Sequence, residues 1–196
     1  MIDPFDAARS HGRRARSSLG TGERNAAVAA AIAALVSLDE LRSPIGSGRV
    51  ALSRAIRDEL DVAGAAPVLR AAGWSVWLPA VVSTPTGLVF REWRSGDELT
   101  SGAFDIDEPP EDGRPTIAAA DLDAVVAPCI AVDRSGTRVG FGAGYYDRAL
   151  AGPGPGPLLI VAAFDVQLVD ELLPTRPWDV PAAIVVTDRR TIRTGR

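Results

Sequence analysis

An α/β sandwich built on a largely parallel central sheet is the fold class this sequence predicts, and three observations carry it. Continuous apolar runs such as Val50 to Ser53, Leu158 to Phe164 and Ala182 to Thr187 suit strands buried on both faces. Segments of helical apolar spacing alternate with them, which favours parallel strands joined by crossover helices. At 196 residues the chain is long enough to close one core, so residues 1–196 are read as a single domain. Together these give a three-layer, Rossmann-like arrangement, with ligands expected outside the carboxyl ends of the strands.

The elements follow in order. Glu23 to Leu38 is alanine-rich with apolar residues at helical spacing, and Thr21 stands where a cap belongs. The arginines before it could belong to an earlier helical turn. Val50 to Ser53 follows the turn signals Ser43, Pro44, Gly46 and Gly48 and reads as a buried strand. A helix is expected over Val62 to Ala72, starting near Pro67 because proline fits only a first turn, and Gly73 ends it. Ser75 to Val81 and Leu88 to Trp93 read as strands flanking a turn at Ser83 to Gly87, an antiparallel hairpin at one sheet edge. Asp107 to Pro115, acidic and proline-rich, reads as a surface loop. Ala124 to Val132 is expected as one strand, Tyr145 to Leu150 as the start of a helix, and the Gly-Pro stretch from Gly152 to Pro157 as a loop tip.

Composition narrows the chemistry. Hydrophobic residues make up 46% and charged residues 23%, and no apolar run approaches the roughly 20 residues of a membrane span. Met1 to Arg16 is Arg-rich and has no apolar core of a secretion signal, so a cytoplasmic location is expected, with a single cysteine, Cys129, read as a small buried hydrophobe. The chain contains no lysine and one histidine, His11; all 21 basic residues are arginine. A lysine-dependent P-loop and a Schiff base are thereby excluded, and neither a histidine-rich zinc site nor a Ser-His-Asp triad has convincing material. Chemistry falls to carboxylates, arginines, tyrosines and backbone amides. The net charge of −4 argues against nucleic acid as a partner, although Arg9, Arg13, Arg14 and Arg16 could form a local anion site.

One segment has a pattern with chemical meaning. Arg138-Val-Gly-Phe-Gly-Ala-Gly-Tyr-Tyr-Asp147-Arg148 follows an apolar run and precedes a helical one, where a glycine-rich turn can aim amides and a helix N-terminus at phosphate. Gly140, Gly142 and Gly144 remove side chains that would block approach. Arg138 offers a planar fork for phosphate oxygens, Tyr145 and Tyr146 offer ring faces and hydroxyls, and Asp147 offers a hard oxygen for Mg²⁺. Glu59, Gln167 and Asp179 carry no signal alone, and Trp74, Trp77 and Trp93 are most economically core or sheet-face aromatics.

Pro128 to Asp133 and Gly136 to Arg148 resemble the signature of the 5-formyltetrahydrofolate cyclo-ligase family. The resemblance extends to Glu59, Leu78-Pro79, Phe104 to Pro109, Gln167 and Asp179, and order and spacing agree from about Arg49 to Thr187. It implies a ligase forming a cyclic C–N bond: ATP- and Mg²⁺-dependent conversion of 5-formyltetrahydrofolate to 5,10-methenyltetrahydrofolate through a phosphorylated formyl group, by a monomer. It also implies the site. Residues 138–146, comprising Arg138, Val139, Gly140, Phe141, Gly142, Ala143, Gly144, Tyr145 and Tyr146, would bind ATP with Arg9 and Arg13. Glu59 and the 141–145 segment would hold folate, Asp147 and Asp179 would hold Mg²⁺, and Arg138, Tyr145 and Asp147 would be catalytic. Departures from the pattern are Arg9 in place of lysine, Ala143, Val132, Ser53, and Asp105 where the family has glycine. They leave open two alternatives: a non-catalytic relative binding nucleotide or folate, and a nucleic-acid-associated member using the N-terminal arginines. Gly12, between Arg9 and Arg13, is expected to weaken any helix there by about 1 kcal/mol.

Overall fold

The computed structural model describes residues 3–44, 46–82, 87–152 and 154–195. Four α-helices are present: α1 (Pro4–Ser17), α2 (Thr21–Val36), α3 (Ala66–Ala71) and α4 (Tyr145–Leu150). The strands are β1 (Arg49–Ala51), β2 (Ser75–Val81), β3 (Leu88–Glu92), β4 (Thr100–Ser101), β5 (Asp107–Glu108), β6 (Thr116–Ile117), β7 (Ala124–Ala127), β8 (Ala131–Asp133), β9 (Arg138–Val139), β10 (Leu158–Ala163), β11 (Leu168–Val169), β12 (Ile184–Thr187) and β13 (Thr191–Arg193).

The main sheet has eight strands in the order β13-β12-β10-β7-β1-β2-β3-β6. Its five central strands are parallel, and antiparallel strands close both edges. Alternate residues of each central strand supply two separate cores. Val50, Ala124, Val126, Ile160 and Ile184 pack with α2 and α3, whereas Ala51, Val125, Ala127, Val161 and Val185 pack with Leu150 and the tyrosines of α4. The chain is therefore the α/β sandwich expected, with apolar runs buried on both faces.

Several elements differ from expectation for identifiable reasons. α1 is a full helix of 14 residues: Asp3 caps it through a 2.8 Å bond from the Phe5 amide, and Pro4 occupies its first turn. Gly12 belongs in it. A Cβ there would lie 2.1 Å from the Ile130 carbonyl oxygen, so glycine lets α1 press against the backbone entering β8. α2 begins at Thr21 with Gly20 as its cap residue, and the Glu23 carboxylate accepts from the Gly20 amide at 2.9 Å. α3 starts near Pro67 as the proline required and ends before Gly73, whose φ is +98°.

The expected strand from Ala124 to Val132 is two strands in different sheets. Pro128 interrupts it, β7 stays in the main sheet, and β8 pairs with β9 and β11. The β2–β3 hairpin forms, but β6 adds beyond it, so it is not the sheet edge. Its turn at Ser83 to Thr86 lies outside the described residues. The loop from Asp107 also is not wholly at the surface, since Glu108 is buried, accepting from the Val81 amide at 3.0 Å beside Arg91.

Sheet order fixes where a ligand can sit. From β1 the chain runs to β2 and β3 on one side, then returns through β7 to β10 and β12 on the other. The order reverses between β1 and β7, and at such a switch point the loops leaving the two strands diverge and leave a crevice.

Candidate active site

A cavity of about 590 Å³ opens at that switch point. The loop after β1 contributes Arg54 and Glu59, and the segment after β7 contributes Pro128 and Cys129. Phe5 and Arg9 come from α1, the glycine-rich turn and α4 form another wall, and Arg176, Trp178 and Asp179 close the rim. The volume falls within the roughly 300–1,000 Å³ of small-molecule sites.

The turn is built by local conformation. Gly142 has φ +110° and Gly144 φ +65°, values that favour glycine, and Gly144 leads directly into α4. The amides of Gly140, Gly142 and Gly144 have no internal acceptor among the described residues. Arg9 sits over the turn: its Nε donates to the Gly140 carbonyl at 3.0 Å, and a Cβ on Gly142 would come within 3.3 Å of its guanidinium. Its other arm is paired with Asp6 at 2.7 Å. α4 has only six residues, so the free turn amides, more than a helix dipole, are what this wall could offer an anion.

Arg138 is more enclosed than its sequence suggested. One arm donates to Asp147 Oδ1 at 2.7 Å and the other to the Val180 carbonyl, so the guanidinium ties the turn, α4 and the 176–180 segment together. The Val180 amide donates to the same Asp147 oxygen at 3.3 Å, while Oδ2 of this cavity-lining residue accepts no hydrogen bond among the described residues. Asp179 lines the cavity and also caps a turn, its Oδ2 accepting from the Arg176 amide at 2.8 Å.

Glu59 is 6% exposed, and burial pushes its carboxyl up to about 7 despite the Ile56 amide and the Arg16 charge, which pull it down. Burial likewise raises the Cys129 thiol to about 12, so it stays protonated and structural. Gln167 holds the segment behind the cavity, donating to the carbonyls of Cys129 and Ile130 at 3.0 and 2.9 Å.

Arg9, Glu59, residues 138–147 and Asp179 thus share one cavity, although they are scattered over the chain. Arg13 is the exception: it is not among the lining residues, and its guanidinium lies over the Phe141 ring at 5.8 Å. Asp105 has φ +57°, which explains why glycine suits that position; its side chain is exposed. Trp74 and Trp77 are buried in the cores, as expected. Sequence reasoning passed over Phe5, Arg176 and Trp178. Arg176 lies 4.3 Å from the Phe5 ring and 6.0 Å from that of Trp178, and it forms no ion pair among the described residues. Only the sequence Arg176-Pro177-Trp178, an arginine and an aromatic two residues apart before Asp179, could have hinted at this rim.

A parallel sheet with a switch-point cavity and a glycine-rich turn of free amides defines an α/β protein suited to phosphorylated small molecules. Comparison with known proteins narrows this. Residues 8–188 match the family model described as 5-formyltetrahydrofolate cyclo-ligase family, and the chain belongs to that family of enzymes. It is 37% identical to a 5-formyltetrahydrofolate cyclo-ligase of Mycolicibacterium smegmatis over 55% of each chain. To that of Escherichia coli it is 35% identical over 70% of this chain and 76% of the relative. The solution structure of Aquifex aeolicus 5,10-methenyltetrahydrofolate synthetase superposes with a TM-score of 0.82 at 29% identity, covering 99% of this chain and 94% of that one. No helix among the described residues is long and apolar enough to cross a membrane.

Proposed function

We propose that the protein uses ATP and Mg²⁺ to convert 5-formyltetrahydrofolate to 5,10-methenyltetrahydrofolate, ADP and phosphate in this cavity, acting as a cytoplasmic monomer. The observation that carries this reading is the convergence of the glycine-rich turn, Asp147 and Glu59 on one switch-point cavity in a chain of this family. The formyl oxygen takes the γ-phosphoryl group of ATP, breaking its bond to the β-phosphate oxygen. N10 then attacks the formyl carbon, the N10 proton is lost, and the C–O bond breaks with departure of inorganic phosphate. A formyl oxygen is a poor leaving group until phosphorylated, so positioning and charge neutralisation supply most of the catalysis.

The residues divide this work. The amides of 140–144 and Arg9 receive the triphosphate, while Arg138 holds Asp147 in place through its 2.7 Å bond. Arg13, over the Phe141 ring and outside the cavity lining, would contribute to phosphate binding through charge. Glu59 accepts from N–H groups of the folate ring, and Tyr145, with Phe104 against it at a ring separation of 6.1 Å, lines the pterin side. The described residues contain no group of three or more His, Cys, Asp or Glu side chains that could cage a metal. Mg²⁺ requires no such cage, since it keeps several waters and is held by one or two carboxylates plus substrate phosphates. Asp147 and Asp179 fit that mode, and the ion would neutralise charge on the phosphate oxygens.

An isotope experiment tests the route. With ¹⁸O in the formyl group, the released inorganic phosphate should contain the label. Unlabelled phosphate accompanying methenyltetrahydrofolate would show that the formyl oxygen leaves by another path.

A further inference from the structure

Behind the cavity wall at Glu59 lies a charged cluster outside the scheme above. Arg16, near the C-terminal end of α1, is 3% exposed, yet its Nε and Nη1 have no hydrogen-bond partner among the described residues. Buried, unpaired N–H groups cost about 1–3 kcal/mol each, so a native fold that keeps them requires a reason. Nη2 of Arg16 is 2.7 Å from Asp58 Oδ1, and Nη1 is 3.8 Å from Glu59 Oε1. Arg24 of α2 braces the same loop, donating to the Asp58 carbonyl at 2.6 Å and the Arg16 carbonyl at 3.0 Å. The other oxygen of Glu59 accepts from its own loop, from the Ile56 amide at 3.0 Å. Two helices therefore converge on two adjacent carboxylates, one of which lines the cavity.

We propose that Arg16 is a positioning residue for substrate binding: from outside the cavity it orients the Glu59 carboxylate and supplies the countercharge that lets it accept N–H donors of the folate ring. This inference rests on the reading of Glu59 as a folate contact. A carboxylate is acceptor-only and can serve two N–H donors, whereas a protonated acid must spend one oxygen as a donor. Arg16 favours the first form. Its charge opposes desolvation, while Asp58 pushes the Glu59 carboxyl further up. The other ionisable groups around Glu59 offer no substitute. Arg24 lies 4.0 Å from Asp58 and is directed to that residue, and Cys129 and Tyr146 are pushed up by burial, then by the Glu59 charge, and so stay neutral. Arg138 acts on Cys129 and Tyr146 but is bonded to Asp147. Without Arg16, Glu59 would therefore hold its proton to higher pH, and folate would bind well only there.

Calorimetric binding of 5-formyltetrahydrofolate tests this in the wild type, Arg16→Lys and Arg16→Met, each also combined with Glu59→Gln, with ATP binding measured on the same samples. Arg16→Met should weaken folate binding about tenfold at neutral pH, recover part of the loss in alkaline buffer, and leave ATP affinity within about twofold. Arg16→Lys keeps the charge and should fall between, which preserves the test if Arg16→Met does not fold. In the Glu59→Gln background the Arg16 substitutions should add almost nothing. An equal loss in that background, or a parallel loss of ATP affinity, would overturn the inference and leave Arg16 a scaffold residue. Wild type that binds folate without turning it over would sink the cyclo-ligase reading and spare this one. Wild type that binds no folate would sink both.

Discussion

The glycine-rich turn at 140–144 is exposed backbone with free amides, whereas Glu59, lining the same cavity, is a nearly buried carboxylate held by Arg16 and the Ile56 amide. The first wall could hold an anion at little cost, because amides need no countercharge and glycine needs no room. The second wall stores an electrostatic penalty, since burial holds the Glu59 carboxyl near 7 until a ligand supplies donors. On the proposed reading one cavity would join a permissive phosphate surface to a selective, pH-sensitive one, and substitutions on the two walls should fail differently.

The largest effect is expected on the turn side. Asp147→Asn should lower kcat by about 10²–10³-fold while folate affinity holds, measured by steady-state kinetics with each substrate varied. The amide variant is chosen because truncating the side chain would also remove the acceptor of the Arg138 bond. A fall in folate affinity equal to the fall in kcat would erase the distinction between the walls.

Glu59→Gln should instead raise the folate KM about 10- to 100-fold with ATP KM unchanged. It should also change stability with a definite sign. The folded carboxyl titrates near 7 against 4.5 for an ordinary glutamate, so the folded state binds more protons between those values. Wild type therefore loses stability as pH rises through that window, by about 3 kcal/mol from this one group, and Glu59→Gln should not. Urea unfolding of both proteins across the window checks this.

Gly12→Ala sharpens the comparison by moving α1, which carries both Arg9 and Arg16. Alanine is the better helix former by about 1 kcal/mol, yet its methyl would meet the Ile130 carbonyl at 2.1 Å. Overpacking should win, with a net loss of about 1–3 kcal/mol in thermal unfolding and weaker binding of both ligands. The smallest effects belong to the rim. Arg176→Ala should raise ATP KM only about two- to fivefold, and Arg13→Ala less, since exposed charges are screened.

How much of this was legible follows the same division. The turn could be read because Gly140, Gly142, Gly144, Tyr145 and Asp147 are contiguous and their spacing is itself the chemistry. Glu59 could not be recognised from its neighbours Arg57, Asp58 and Asp61, which look like a solvated surface; only the family resemblance singled it out. Arg16 was legible only as one of four arginines that could form an anion site; its burial against Asp58 and Glu59 corrects that expectation and depends on α1 packing over the loop after β1, a tertiary fact. The sheet was readable from apolar runs, but the break at Pro128 and the short strands β4, β6, β9, β11 and β13 are fixed by pairing between distant segments, not by local pattern.

The measurement that bears most directly on the account is absorbance-monitored formation of 5,10-methenyltetrahydrofolate from 5-formyltetrahydrofolate and Mg-ATP, with parallel reactions lacking ATP or metal. Absorbance should rise in the complete mixture alone. No rise in the complete mixture, from protein that still binds ATP or folate, would contradict it and make the chain a non-catalytic member of its family.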